Sequence, residues 1–453
     1  MKLTEIILSI SLFLSTILTS GQVRFPSPND HYTPFNTNPH PNFPNAPRID
    51  IFDKNDFLGL KQQQQITEQQ NRQLIRENEL IERRKKERLK LISSWSNQSK
   101  NSNYVPPTFS NLKGTEYYRN VYDKMLTLNK ENFSVKDVNF EIENAYFENK
   151  LDKDLFDKTI KQTGKFLIAK MKELNYDVNS NALKNFMLFE FFTQPLEVNG
   201  FKEKHFPIKY DFEDYSGNKD LSKMFVTKLM RTGTGQCHSM PLYYLILAEE
   251  IGAKAYLALS PNHMYIKFQD ETGKWYNLEL TRGVYTVSSF ILNSGFIKAE
   301  AIQNRIYMKG LSKQQLLSQF YTDLAVGYVQ KYGYDGFIEK VINKAIELYP
   351  NNINANMLKA NYDNAFFRYV TNKIGINPED NKELQKINAY PQAVHLLNKS
   401  NKQYKRIKDL GYQHMPAEAY ENWLGSLKDA KHKQENETVK KQFKGLIIKK
   451  QKD

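Results

Sequence analysis

The sequence predicts an α+β domain with a small antiparallel sheet, followed by an all-helical region and preceded by a long N-terminal helix. Residues 233–285 switch from helical spacing to short alternating runs of strand type. On either side of that segment the apolar residues recur at helical intervals. A chain of 453 residues is also too long for one core, which favours two or three domains.

The elements follow in order. Met1-Lys2, an apolar run over residues 6–18 and the small residues Thr19, Ser20 and Gly21 read as a secretory signal over 1–21. The run falls short of the roughly 20 residues a spanning helix needs. The expectation is therefore an exported protein, periplasmic or secreted, with no transmembrane anchor. Residues 22–57 contain Pro26, Pro28, Pro34, Pro39, Pro41, Pro44 and Pro47 among Asn and Asp, a Pro/Asn-rich linker. Over 58–93, Ile66, Leu74, Ile81 and Leu89 lay a thin apolar seam on an otherwise polar helix. Residues 94–113, with Pro106-Pro107, form a loose connection.

Residues 114–232 are mainly helical. The stretches 155–174 and 182–192 place Phe156, Ile160, Phe166 and Met171, then a run of aromatics, close to helical spacing. Residues 200–215 are rich in Phe and Tyr and fit no pattern. A helix follows Cys237, with Met240, Tyr244, Leu247, Ala248 and Ile251 on one face and Gly252 at its end. Strands are expected over 255–259, 264–268 and 275–280, the last two joined by an Asp270-Glu271-Thr272-Gly273 turn. Helices return after 311, and from Lys431 the chain is Lys-rich and thinly apolar. The segment 345–352, ending Tyr349-Pro350-Asn351-Asn352, resembles the close of a tetratricopeptide repeat, and 354–362 the opening of another.

Composition narrows the chemistry. The chain has a single Cys, which excludes an intramolecular disulfide framework and a Cys-rich zinc site. His31, His40, His205, His395, His414 and His432 are scattered, so no metal and no cofactor is expected. The net charge of +14 comes from Lys spread along the length, a solvated surface rather than a specific nucleic-acid footprint.

In an exported protein a lone thiol draws attention to Cys237. Gly233-Thr234-Gly235-Gln236-Cys237 brings it to the first turn of a helix, where the helix N-terminus favours a thiolate and backbone N–H groups can hold an oxyanion. A base is needed as well. His238 points about 100° away around the helix; His263, at the start of a strand, is the better candidate. Alternation puts Met264, Ile266 and Phe268 on one face and His263 and Tyr265 on the other. In the partner strand Tyr276, Leu278 and Leu280 oppose Trp275, Asn277 and Glu279. The apolar faces must coincide, so even residues pair with even ones. Pairing Ile266 with Tyr276 sets His263 across from Glu279; a slip of two substitutes Asn277. Either one would orient the imidazole.

These pieces resemble the transglutaminase-like superfamily of papain-type cysteine enzymes: Gly235-Gln236-Cys237 opening a helix, the strand His263-Met264-Tyr265-Ile266, and Trp275-Tyr276-Asn277-Leu278-Glu279. The combination with tetratricopeptide-like helices looks like bacterial transglutaminase-like proteins. The resemblance implies a papain/transglutaminase-like domain over 114–310 and a helical, tetratricopeptide-like domain over 311–453. It makes Cys237 the nucleophile and His263 the base, with Glu279 in the usual Asp position, Asn277 as its substitute, Gln236 contributing to the oxyanion site and Trp275 a rim or substrate contact. It implies thiolate attack on a peptide or amide, with peptidase and acyl transfer tied, and a protein or peptide substrate. The alternative is a non-catalytic scaffold whose helical C-terminal domain binds a protein or cell-envelope partner.

Overall fold

A computed structural model describes residues 103–426 except Asn293, together with Arg83, Glu437 and Lys441. The expected signal segment, linker and N-terminal helix lie outside the described residues, apart from Arg83, an exposed helical position. Most of the Lys-rich tail lies outside them too.

The protein is mixed helix and sheet: many helices around one small antiparallel sheet. Four helices come first, α1 (Thr115–Leu126), α2 (Val135–Tyr146), α3 (Lys153–Glu173) and α4 (Asn181–Thr193). Three of them open on side-chain caps: Ser134, Asp152 and Ser180 accept from the N–H of Asp137, Leu155 and Leu183. The Phe/Tyr-rich stretch is largely irregular, with β1 (Lys209–Tyr210) inside it. Next comes α5 (Val226–Thr232), whose N-terminus is capped by a carboxylate from another helix: Glu143 of α2 accepts from Val226 N at 2.7 Å and Thr227 N at 2.9 Å. β2 (Thr234–Gly235) follows and pairs parallel with β1. Gly235 is needed there, because a Cβ would run into Leu229 and Met240.

The helix after Cys237 is α6 (Ser239–Glu250), almost wholly buried, followed by Gly252 at φ +65°. The sheet then runs β3 (Tyr256–Ser260), β4 (His263–Gln269), β5 (Trp275–Glu279) and β6 (Val284–Thr286), in sequence order. β6 has no counterpart in the sequence reading: three residues are too few to display a period. Even residues of β4 pair with even residues of β5, as the alternation requires, but Phe268 faces Tyr276 and Ile266 faces Leu278. The ladder is thus slipped two residues from the expected Ile266–Tyr276 pairing, away from Asn277. A slip of two preserves which residues face which side, so patterning alone does not fix it.

Beyond α7 (Ser288–Leu292) and α8 (Ala299–Gln303) lie the long helices α9 (Lys313–Tyr332), α10 (Gly336–Leu348) and α11 (Ile353–Lys373). The short α12 (Asn381–Leu384), α13 (Pro391–Asp409) and α14 (Ala417–Ser426) complete the described chain. α9 packs on α1 and α2, so one hydrophobic core passes from the first helices and the inner face of the sheet into α9–α11. α14 belongs elsewhere. Its Tyr420 and Trp423, with Met415, form a small cluster with Ala258 and Tyr265 on the outer face of the sheet and with Ile291 of α7. Among the described residues no helix is long and apolar enough to cross a membrane.

Candidate thiol site

Cys237 stands just ahead of α6, one residue before the N-cap His238, and not in the first helical turn as the sequence suggests. Both of its neighbours are pinned. Gln236 is fully buried, and its side-chain amide donates to the backbone carbonyls of Glu213 at 3.2 Å and Asp214 at 3.0 Å. Its N–H donates to Ser239 Oγ at 3.0 Å. The Gln236 side chain therefore anchors the 211–214 loop, and its donors are committed there instead of facing an oxyanion. His238 Nδ1 lies 3.0 Å from the Met224 carbonyl in a hydrogen bond, and its Nε2 forms an ion pair with the Asp323 carboxylate of α9 at 3.2 Å. Burial works against its charge, but Asp323 and the Met224 carbonyl outweigh burial and push its pKa up to about 9.

His263 begins β4 directly after a tight turn. Ser260 pairs with His263 across Pro261-Asn262, and Asn262 takes φ 56°, which Asn tolerates better than most residues. The imidazole is sealed from solvent, with Nε2 at 2.5 Å from Glu279 Oε2 and Nδ1 at 3.0 Å from the hydroxyl of Tyr420. The other carboxylate oxygen of Glu279 accepts from the N–H of Thr281 at 3.0 Å and its hydroxyl at 2.6 Å. Burial disfavours a charged imidazole, yet the Glu279 carboxylate and the neighbouring Cys237 sulfur outweigh it and raise the His263 pKa to about 10. Cys237 and His263 therefore share one buried site.

The slipped register explains why a Glu serves here. Continuing the ladder sets His263 across from Thr281, which places residue 279 on the diagonal, roughly 7–8 Å away between backbones. The extra methylene of Glu covers that diagonal, and Thr281 holds the free oxygen. Asn277 does not reach. It pairs with Lys267, four residues or about 13 Å along β4 from His263, and its amide donates to the Thr286 carbonyl at 3.2 Å. Trp275 is farther still. It pairs with Gln269 at the turn end of the hairpin, about 20 Å along the strand from His263, half exposed beneath the Lys267 ammonium. Position 275 is thus not a rim of the thiol site.

Several residues at the site carry no local sequence signal. Tyr420 is 157 residues from His263 in the chain. The Trp423 ring meets the imidazole edge-on at 5.3 Å, and Tyr215 stacks on Tyr420 at 5.8 Å. Asp323 lies in the middle of α9 with ordinary helical surroundings. Cys237, His238 and His263 also line a cavity of about 140 Å³ whose walls include Met224, Phe225 and Met264, and Phe320, Asp323 and Met357 from α9 and α11.

No family model matches the chain, and no curated protein matches it. Among solved structures it is similar to a crystal structure of menin, described as revealing the binding site for the Mixed Lineage Leukemia (MLL) protein. That similarity covers 73% of this chain and 77% of the menin chain, at 12% identity and a TM-score of 0.29, too slight to carry an argument.

Proposed function

We propose that the chain is an exported cysteine enzyme of transglutaminase-like type that acts on peptide or amide carbonyls. The observation that carries this reading is that Cys237 and His263 line one cavity while the buried Glu279 carboxylate lies 2.5 Å from His263 Nε2. In this reading Glu279 holds Nε2–H, and Nδ1 takes the thiol proton. The sulfur then bonds to the carbonyl carbon while the C=O π electrons move onto oxygen, a charge that N–H groups at the head of α6 would stabilise. As the C–N bond breaks, the Nδ1 proton passes to the departing amine and a thioester remains on Cys237. Water resolves it in a peptidase, a second amine in an acyltransferase. The cavity beside the thiol is sized for one side chain of a protein or peptide substrate.

The binding-scaffold reading draws on a different observation: Cys237 is only 7% exposed and Tyr420 already occupies Nδ1. The test is incubation of the full chain with casein and a fluorescent primary amine, against a Cys237→Ala control. Cys237-dependent amine incorporation means acyl transfer, and Cys237-dependent new N-termini mean hydrolysis. Neither product would favour the scaffold.

A further inference from the structure

We propose that Tyr420 fills the leaving-group position of the thiol site and that α14 is a built-in latch, so that the described state is a latent form. The inference rests on the cysteine-enzyme reading above. Its starting point is that both nitrogens of His263 are taken, Nε2 by Glu279 and Nδ1 by the Tyr420 hydroxyl at 3.0 Å. In that chemistry Nδ1 has two tasks: it receives the thiol proton, and it later delivers that proton to the departing amine. If the hydroxyl donates to Nδ1, it uses the lone pair the thiol proton needs. If Nδ1–H donates to the hydroxyl, it engages the proton the leaving amine needs. In either protonation state the group that must stand 3 Å from Nδ1 during C–N cleavage is the amine, and Tyr420 stands there instead.

The packing supports a latch more than a fixed catalytic wall. α14 contributes no lining residue to the cavity beside Cys237 among those described, while its Tyr420 hydroxyl covers His263 Nδ1. It sits on the outer face of the sheet in a small cluster separate from the main core, where Tyr420, Trp423 and Met415 pack with Ala258, Tyr265 and Ile291 and with half-buried side chains around them, Tyr215 among these. A cluster this small and outside the main core opens at lower cost than the core itself. The anchor lies just before the helix: Asn262, in the turn that launches His263, donates to the Met415 carbonyl at 2.9 Å. A swing about Met415 withdraws the Tyr420 hydroxyl and the Trp423 ring together and leaves the His263–Glu279 pair in place.

The probe is p-nitrophenyl acetate, whose acyl group transfers to Cys237 with release of nitrophenolate, followed on the full-length chain by stopped-flow absorbance and intact mass. Tyr420→Ala is expected to acylate about tenfold faster than wild type or more, the gain from freeing a site whose open state is populated below about 10%. Trp423→Leu, which loosens α14 without touching Nδ1, should move the same way and carries the test should Tyr420→Ala fail to fold. The gain must vanish when His263→Ala is added, which separates a freed base from mere exposure of the thiol. Acylation of Tyr420→Ala at or below the wild-type rate, or an equal gain without His263, overturns the latch. Should wild type acylate in a His263-dependent way while the α14 variants do not accelerate, the latch fails and the enzyme reading stands. Absence of acylation at Cys237 in every variant removes both.

Discussion

On the inner face of the β3–β6 sheet, Leu257, Ile266, Phe268, Tyr276 and Leu278 meet α4 and α6 within the main core. On the outer face, His263, Tyr265 and Glu279 of the same strands meet α14 through a few aromatic rings. One face is continuous apolar packing. The other buries an imidazole and a carboxylate, whose charges are tolerable only because each is paired. The comparison separates two roles that one hairpin carries: the even residues hold the sheet to the body, and the odd ones hold chemistry at its surface. Changes on the inner face should therefore act on global stability, and changes on the outer face on reactivity.

The largest effect is expected from the inner face. Phe268 is fully buried and stacks on Tyr276 with ring centroids 5.1 Å apart, so Phe268→Ala should cost about 3–5 kcal/mol of stability. Thermal melts would show it; a loss no greater than that of an exposed control substitution would mean that the two faces do not differ as described.

The outer edge of the site predicts a pH dependence. The pKa of His238 rises from 6.5 to about 9 against Asp323, so its stabilising share is complete below about pH 6.5 and fades as the pH climbs through 9. His263, raised to about 10, has the same sign and fades at higher pH. Asp323→Asn should remove the His238 share, up to about 3 kcal/mol at pH 6. Melting temperature plotted against pH from 6 to 9 should fall for wild type and run flatter for the variant. A wild-type profile that rises with pH would contradict the pairing.

Next comes the orienting carboxylate. Glu279→Gln should keep the fold, since the amide preserves shape, yet slow alkylation of Cys237 by about tenfold or more, because an amide neither fixes the tautomer nor stabilises the imidazolium as well. Asn277→Ala should change that rate by less than about twofold, being four residues along the strand from the base. Alkylation rates for the two variants measured side by side decide it, and the opposite ranking would move the orienting role to Asn277.

How much of this was legible in the sequence follows from the range over which each signal acts. The helix after Cys237, the β4–β5 hairpin and the facing of its residues were readable, because period and turn chemistry are local. Parity named Glu279 and Asn277 as sharing the face of His263. It could not choose between them, since a slip of two residues leaves every side chain on its own face. The longer reach of Glu279 and the Thr281 clamp make sense only once Phe268 is seen opposite Tyr276. Trp275 shows the converse error: sharing a face with His263 is not sharing a site at a distance of six positions along the strand. Tyr420, Trp423 and Asp323 were beyond reach altogether. Each sits on an unremarkable helical stretch, and only the packing of α14 and α9 brings it to the thiol.

The most direct test of the central claim, that Cys237 and His263 form one reactive unit, is the rate of iodoacetamide alkylation of the full-length chain, wild type against His263→Ala. Cys237 is the single cysteine, so one rate constant reports one site. A fall of about a hundredfold is expected without the imidazole, the low end of what a positioned base contributes. Equal rates in the two proteins, with both folded, would contradict it.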